Sequence, residues 1–358
     1  MLKLKKGFNL GIFAFNSSSG STLTSHTKRW KINADKVIRL VKSAEKAGIN
    51  FLLPVARWND WGGGTRPHKE SYEALSLISC LSSITKKIYL FSTIHTNYIH
   101  PIFAARSIVT ANHFSNNRVG INIVSGWNKS EYDMFNIKNY SSSDERYKQA
   151  AEWLKIFNKL IDPKIDKFNF AGQYFKIKNA QCFPKIIEKN SLIKISAAFS
   201  EEGRKFATKH FDILFTMFNS IEKLKEINKK IIQNSGKNKK KIKIFSPVHI
   251  ICRNSYSEAK NFYDFYSQKK QDRGAVNNFI KNLEWSKKHT LAAFMKQIKQ
   301  RIAGSLGAFT LIGTPKQIID QLNHIYKCNT NGVALTFFDF EKDFSYFEKK
   351  VLPVVKKF

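Results

Sequence analysis

Short β-type runs alternate with amphipathic helical stretches along almost the whole chain, and this alternation restricts the fold more than any other feature. The β-type runs are Leu10–Phe15, Phe51–Pro54, Ile88–Thr93, Val119–Val124, Ile193–Ala197, Ile213–Met217, Ile242–Ile251 and Gly332–Phe337. Helical periodicity follows most of them, at Ala34–Ala47, Glu70–Ile84, Ile102–Phe114, Ser143–Ile161, Glu201–Lys209, Ile221–Gln233 and Pro315–Tyr326. Helix openings agree with this division: Ser200 precedes Glu201-Glu202, and Thr314-Pro315 puts proline at a first helical position. A strand–helix unit repeated about eight times predicts a (β/α)₈ TIM barrel within the α/β class. The chain of 358 residues has the length of one such domain and has no linker to divide it.

Two segments break the repeat. Asp166–Ile177, "DKFNFAGQYFKI", reads as a hairpin turning at Ala171-Gly172. Ser255–Leu311 is too long for one crossover and mostly helical. It predicts an insertion between barrel strands 7 and 8, part of it a mobile lid that includes the weakly patterned "WSKKHTLAAFMKQIKQRIAGSLGAF".

Composition narrows the function. No apolar run reaches the length of a membrane span, and the basic-then-apolar start, "MLKLKKGFNLGIFAFN", reads as a first strand. The four cysteines are scattered without a CxxC pair, which argues against zinc or a redox dithiol and for free thiols in a reducing cytoplasm. The formal charge of +33 would suit a polyanion partner, but the basic residues are dispersed apart from "GKNKKKIK" at Gly236–Lys243. Lysine outnumbers arginine by roughly four to one, whereas groove readers favour arginine. Lys, Asn, Ile and Phe share AT-rich codons, so genome composition explains the charge without nucleic acid. With no GxGxxG and no P-loop, a Rossmann nucleotide site is not indicated.

In a barrel of this kind, chemistry sits at the C-terminal strand ends. The second strand leads into "VARWNDWGGG", the third ends in "TIHTNYIHP", the fourth in "SGWNKSE" and the fifth in "AAFSEEG". Arg57, Trp58, Trp61, Thr93, His95, His100, Asn122, Trp127, Glu131 and Ser200 should therefore meet at one mouth. Asn122 is the odd residue, an amide inside the apolar run Val119–Val124. It is either satisfied by neighbouring backbone or presented to a ligand. The tryptophans suit a flat ring or simple packing. Ser200 at a helix start suits a phosphate. His95 and His249, taken alone, read first as hydrogen-bonded core histidines and second as catalytic ones, and His100 before Pro101 as a turn residue.

Several longer stretches resemble the bacterial-luciferase-like flavin monooxygenases. They are "AARSIVTANHFSNNRVGINIVSGW", "DERYKQAAEWLKIF", "FAGQYFKIKNAQCFPK", "FSEEGRKFATKHFDILFT" and "LIGTPKQIIDQL…GVALTFFDF…FEKKVLPVV". The group in view contains the pyrimidine, dimethylsulfone and alkanesulfonate monooxygenases. The resemblance implies a barrel that binds reduced FMN, supplied by a separate NAD(P)H-dependent flavin reductase, and uses it with O₂ to oxygenate a small pyrimidine-like or organosulfur molecule. It implies that Ala56, Arg57, Asn122 and Glu131 lie beside the flavin and that Arg146, Tyr147 and Ser200 hold its phosphate. Thr93 and Asn122 would hold O₂, with His249 on the catalytic side; His95, like His100, has no counterpart in the pyrimidine enzyme and is a catalytic candidate from its place at the strand end. A soluble cytoplasmic homo-oligomer without metal is the implied setting. Two departures are visible: Ala198-Phe199-Ser200 replaces a glycine-rich run, and Pro247 stands where the alkanesulfonate enzyme has an arginine. A deazaflavin-dependent oxidoreductase or a non-catalytic flavin-binding relative of the same fold are the alternatives.

Overall fold

The computed structural model describes residues 4, 7–137, 143–188, 192–235, 241–286 and 295–358. Among the described residues there are eleven strands: β1 (Asn9–Phe13), β2 (Phe51–Leu53), β3 (Tyr89–His95), β4 (Val119–Val124), β5 (Phe168–Ala171), β6 (Lys176–Ala180), β7 (Lys194–Ala197), β8 (Ile213–Phe215), β9 (Lys243–Cys252), β10 (Phe309–Gly313) and β11 (Gly332–Phe337). Eight of them pair in parallel in the order β9-β11-β1-β2-β3-β4-β7-β8, and β8 pairs back to β9 to close the barrel. The expected (β/α)₈ fold is observed, with helices Ala34–Ala47, Ala74–Ile84, Pro101–Phe114, Ser143–Ile161, Glu201–His210, Ile221–Ser235 and Pro315–Lys327 outside it. Their ends are chemically set. Asn33 caps the first helix and Gly48, at φ 82°, ends it; Thr314 and Gln317 form a reciprocal capping box. No helix among the described residues is long and apolar enough to cross a membrane.

The hairpin is formed by antiparallel β5 and β6. Its turn is tied to the helix Ser143–Ile161 by the Glu152 carboxylate, which accepts from the backbone N–H of Gln173, Tyr174 and Phe175. The insertion lies between β9 and β11, as expected. It runs through the helix Tyr256–Asp264, a π-helical turn Phe265–Lys269, and the helices Arg273–Ser286 and Met295–Ser305. Residues 287–294 of the weakly patterned stretch and 236–240 of the basic run lie outside the described residues.

The insertion ends differently from the sequence reading, in a ninth parallel strand of the main sheet. β10 pairs with β9 from Phe309↔Val248 to Gly313↔Cys252, just beyond the part of β9 that β8 covers, Lys243 to Phe245. The ten-residue β9 is longer than its neighbours, and its upper half needs this second partner. Pro247 falls in the gap between the two partners, where a missing N–H disrupts least.

Strand alternation separates two cores. Leu52, Leu90, Ile121, Ile123, Leu214, Ile244, Val333 and Leu335 pack outward with the helices. Phe51, Leu53, Tyr89, Phe91, Ile195, Phe215, Phe245 and Ala334 fill the barrel. Rings dominate this plug: Phe51 stacks on Phe245 at 5.2 Å and meets Phe91 edge-on at 5.9 Å. Glycines make room for them. A Cβ on Gly11 would lie 2.2 Å from the Phe51 ring, and one on Gly120 would lie 2.5 Å from the Ile193 carbonyl oxygen and 2.8 Å from Tyr89. The same parity continues upward into polar residues. Thr93 and His95 follow Tyr89 and Phe91 on β3, Asn122 follows Gly120 on β4, His249 follows Phe245 on β9, and Thr336 follows Ala334 on β11.

This packing makes Gly120→Ala an overpacking substitution, although its backbone conformation suits alanine. It should destabilise the chain by about 1–3 kcal/mol, read as a lower urea midpoint at unchanged m-value. An unchanged midpoint would show that the plug has slack.

Candidate active site

The polar layer above the plug has two facing groups. On one side Thr93 and Asn122 are register partners. The Thr93 hydroxyl donates to the Pro54 carbonyl at 2.6 Å and accepts from Asn122 Nδ2 at 3.1 Å. Its one proton is committed to Pro54, which fixes the Asn122 amide with its nitrogen toward Thr93. Asn122 Oδ1 is left buried without a protein partner. The opening between the alternatives for Asn122 is thus half closed: its nitrogen is satisfied by the fold and its oxygen is not.

On the opposite side, His249 pairs in register with Thr336. Its Nδ1 lies 2.7 Å from Thr336 Oγ1 and 3.3 Å from Ser21 Oγ, and its Nε2 lies 3.0 Å from the Tyr266 hydroxyl. Tyr266 donates its own proton to the Gly304 carbonyl, so His249 Nε2 carries a hydrogen and Nδ1 accepts. Both ring nitrogens are engaged by protein. His249 joins the barrel to the β1 loop and, through the π-helical turn, to the insertion.

The loops after β2 and β4 meet at a buried ion pair. Arg57 Nη1 lies 3.0 Å from Glu131 Oε1, with 9 % and 1 % of the two side chains exposed. The Trp58 backbone N–H also donates to Glu131. The Arg57 guanidinium lies 4.4 Å from the Trp61 ring centre and 5.5 Å from that of Trp127, and Ala56 is buried at the base of the same loop. Trp61 stacks on Trp127 at 5.8 Å and meets Phe279 of the insertion at 4.7 Å. These two tryptophans therefore pack barrel against insertion. Trp58 instead meets Phe135, which stacks flat on Tyr98 at 4.5 Å. His95 borders Tyr98, and its Nδ1 has no protein partner; Arg57 Nε and Trp58 Nε1 are likewise buried and unpaired.

A third group lies at the neighbouring strand end. Ser200 caps the helix Glu201–His210 by accepting from the Gly203 N–H at 3.1 Å. Burial pushes the Tyr147 phenol up, opposed by its hydrogen bond to Ser200 and the positive charge of Arg146. Arg146 is itself buried and acts electrostatically on Tyr147, whose hydroxyl meets Ser200 at the helix N-terminus. His100 stands apart: its Nδ1 caps the helix Pro101–Phe114 by accepting from the Ile102 N–H.

Two residues at the mouth escape a sequence reading. His68 accepts from Trp61 Nε1 at 3.2 Å and donates from Nε2 to the Gly20 carbonyl at 2.6 Å. Asp272 of the insertion holds the glycine-rich β2 loop, accepting from the Thr65 N–H and hydroxyl and from the Gly64 N–H. The Gly62-Gly63-Gly64 run was the available signal, since a Cβ on Gly63 would lie 2.2 Å from Asp272.

Burial pushes His95 down to about 4, with Glu131 opposing and Arg57 adding to the fall. It pushes His68 and His249 down to about 3. These imidazoles are neutral in the fold at pH values where the unfolded chain takes up protons. Stability should be complete above pH 6.5 and fall as pH drops toward 4, by about 1.4 kcal/mol per pH unit for each histidine. His95→Gln should flatten that fall in melting temperature measured against pH. An equal slope in the variant would remove His95 from the effect.

The family description "Luciferase-like monooxygenase" matches residues 8–329. A pyrimidine monooxygenase of Pseudomonas savastanoi pv. phaseolicola is 26% identical over 362 residues, covering 97% of this chain and 96% of that protein. An FMNH₂-dependent dimethylsulfone monooxygenase of Pseudomonas putida is 24% identical over 347 residues, covering 96% of this chain and 93% of that protein. Among solved structures, a long-chain alkane monooxygenase superposes with a TM-score of 0.85 at 20% identity, over 99% of this chain and 92% of that one. With the match spanning the barrel from β1 to the final crossover helix, this chain belongs to the luciferase-like monooxygenase family.

Proposed function

We propose that the chain is a two-component monooxygenase that takes reduced FMN from a separate NAD(P)H-dependent flavin reductase and uses O₂ to oxygenate a small organic molecule. The observation that carries this reading is the set of unpaired buried polar atoms at the mouth: Arg57 Nε, Trp58 Nε1, His95 Nδ1 and Asn122 Oδ1. Leaving such groups unmet costs about 1–3 kcal/mol each. A planar ring with polar edges, such as the isoalloxazine of FMN, fits this set of two donors, one acceptor and one ambivalent nitrogen. Arg146, Tyr147 and the Ser200 helix start fit the phosphate at the other end of FMN. Bound reduced flavin supplies the electrons that activate O₂.

The chain's own residues supply position and dryness. Ala56 leaves room for the ring at the base of the β2 loop. Thr93, its proton on the Pro54 carbonyl, fixes the Asn122 amide so that its open Oδ1 can accept from an N–H or O–H of the bound reactants, above a plug of packed rings. His95, neutral beside Glu131 and Arg57, would offer its unpaired Nδ1 to the substrate side, and His249 would support the far wall. The insertion closes the mouth as a lid, held by Asp272 on the β2 loop and by Asn278 Nδ2 on the Trp61 carbonyl at 2.9 Å.

The setting follows from the same surfaces. All four cysteines are free, as suits the cytoplasm. The helix Ala74–Ile84 carries no charge, and the neighbouring helix Pro101–Phe114 exposes Phe103 at 59% and Phe114 at 76%. These apolar side chains support a homo-oligomer in which a second copy sits on this face, beside the exposed Arg106.

Anaerobic titration with FMNH₂, set beside a reduced deazaflavin, tests the cofactor, and ¹⁸O₂ incorporation into product tests the reaction. Arg146→Ala should weaken FMNH₂ binding by about tenfold or more, as loss of a charge-assisted hydrogen bond does. Unchanged affinity would take Arg146 out of the site, and tighter binding of the deazaflavin without O₂ consumption would replace the monooxygenase reading with hydride transfer.

A further inference from the structure

Outside the barrel, the helices Glu201–His210 and Ile221–Ser235 pack side by side and leave a groove of about 510 Å³ between them. Its floor includes Ile227 and Ile231, both buried. Its rim is charged and unevenly paired. Glu201 holds Lys205 at 3.0 Å, and Glu226 holds Lys223 at 2.7 Å and Lys230 at 2.8 Å. Both carboxylates of the groove are thus committed to lysine, and Arg204 is the cation left over. Among the described residues its guanidinium forms no ion pair and donates one hydrogen bond, from Nε to the buried Thr216 hydroxyl at 3.4 Å. The four Nη–H donors remain uncommitted. Arg204 is half-buried, and burial draws it below the usual arginine value against the pull of Glu201. Lys230 on the facing helix, raised chiefly by its bond to Glu226, feels Arg204 as an opposing charge, so the two cations lie within electrostatic reach across the groove.

We propose that this groove binds a small organic oxyanion, a carboxylate or a phosphate monoester, with its charged end on the Nη edge of Arg204 and its apolar body on Ile227 and Ile231. A guanidinium offers parallel N–H donors that match two oxygens of such a group. A half-desolvated cation without a counterion gains most from one. Lys230 adds attraction from the opposite wall, and the rim keeps an excess of two positive charges after Glu201 and Glu226 are counted. An inorganic ion would satisfy Arg204 but leave the floor bare, and a neutral ring would cover the floor but leave Arg204 unpaired. The groove is separate from the flavin phosphate site proposed above: the helix turns Gly203 toward Tyr147 and Arg204 toward the groove.

Isothermal titration calorimetry of the full chain tests this with phenyl phosphate, benzoate, inorganic phosphate and benzamide. Phenyl phosphate or benzoate should bind one site with a Kd of about 1 mM or tighter, and the tighter of the two identifies the head group. Inorganic phosphate should bind at least about tenfold more weakly, and benzamide not measurably. Arg204→Gln should weaken the organic anion by about tenfold or more. Lys209→Gln removes the same charge from the same helix outside the groove and should change affinity by less than about twofold. Arg146→Ala should leave this binding intact. Failure of both organic anions to bind overturns the proposal, as does binding of benzamide with equal affinity. Equal losses in Arg204→Gln and Lys209→Gln would reduce the effect to diffuse surface charge, and loss in Arg146→Ala alone would move the anion to the flavin site; either result overturns it. Arg204→Lys keeps the charge without the fork and should weaken binding by about threefold or more. It decides the matter if Arg204→Gln does not fold, and unchanged affinity there counts against the proposal.

Discussion

The buried Arg57–Glu131 pair is the interaction on which the mouth depends. It joins the loop after β2 to the helix after β4, and it places a guanidinium against Trp61 and Trp127. Those rings in turn pack on Phe279, so the pair, the tryptophans and the insertion form one contact chain. A buried ion pair contributes little net stability, because both charges lose their hydration. What it contributes here is geometry. It fixes where the Arg57 Nε and Trp58 side chain point, and it leaves the pocket without net charge.

Below that pair, the barrel interior changes character over one pair of strand residues. Large rings in the lower layers are admitted by Gly11, Gly120 and Gly332 and fill the barrel beneath the polar layer. The first inward polar groups on β3 and β4 are Thr93 and Asn122. Thr93 spends its proton on the Pro54 carbonyl, so the strand end itself aims the amide. The far side of the barrel treats its polar residues in the opposite way. His249, Thr336 and Tyr266 satisfy one another completely and bind the insertion to the barrel. One face is finished by protein, and the other is left open for a ligand.

Most of the fold was legible because its signals are local. Val119–Val124 and Gly332–Phe337 carry their apolar alternation within six residues, and helices such as Ala34–Ala47 carry theirs with caps attached. β10 was not legible, because Phe309–Gly313 becomes a strand only by pairing with the edge of β9 that β8 leaves free. Arg57, Thr93, Asn122 and Glu131 could be placed at one mouth from strand ends alone. Their division into paired and unpaired atoms could not, since it depends on Pro54, Trp58 and the turn of a single amide. His68 and Asp272 act on partners reached by folding; the Asp272–Thr65 bond spans 207 positions. Trp61 and Trp127 read as a ring-binding wall or as packing, because aromatic residues at a strand end do not announce whether a ligand or another helix will cover them.

The central claim is that Asn122 Oδ1 is open to accept a hydrogen bond from the bound reactants and is not merely a core amide short of a partner. Its direct measure is the coupling of reduced-flavin oxidation to product in Asn122→Ala, followed as hydrogen peroxide released per flavin oxidised. The fold should survive, because truncation removes the amide together with its desolvation cost. FMNH₂ should still bind and still react with O₂, but most oxidation should end in free hydrogen peroxide. Full coupling in Asn122→Ala, at wild-type flavin affinity, would contradict the account and return Asn122 to the barrel core.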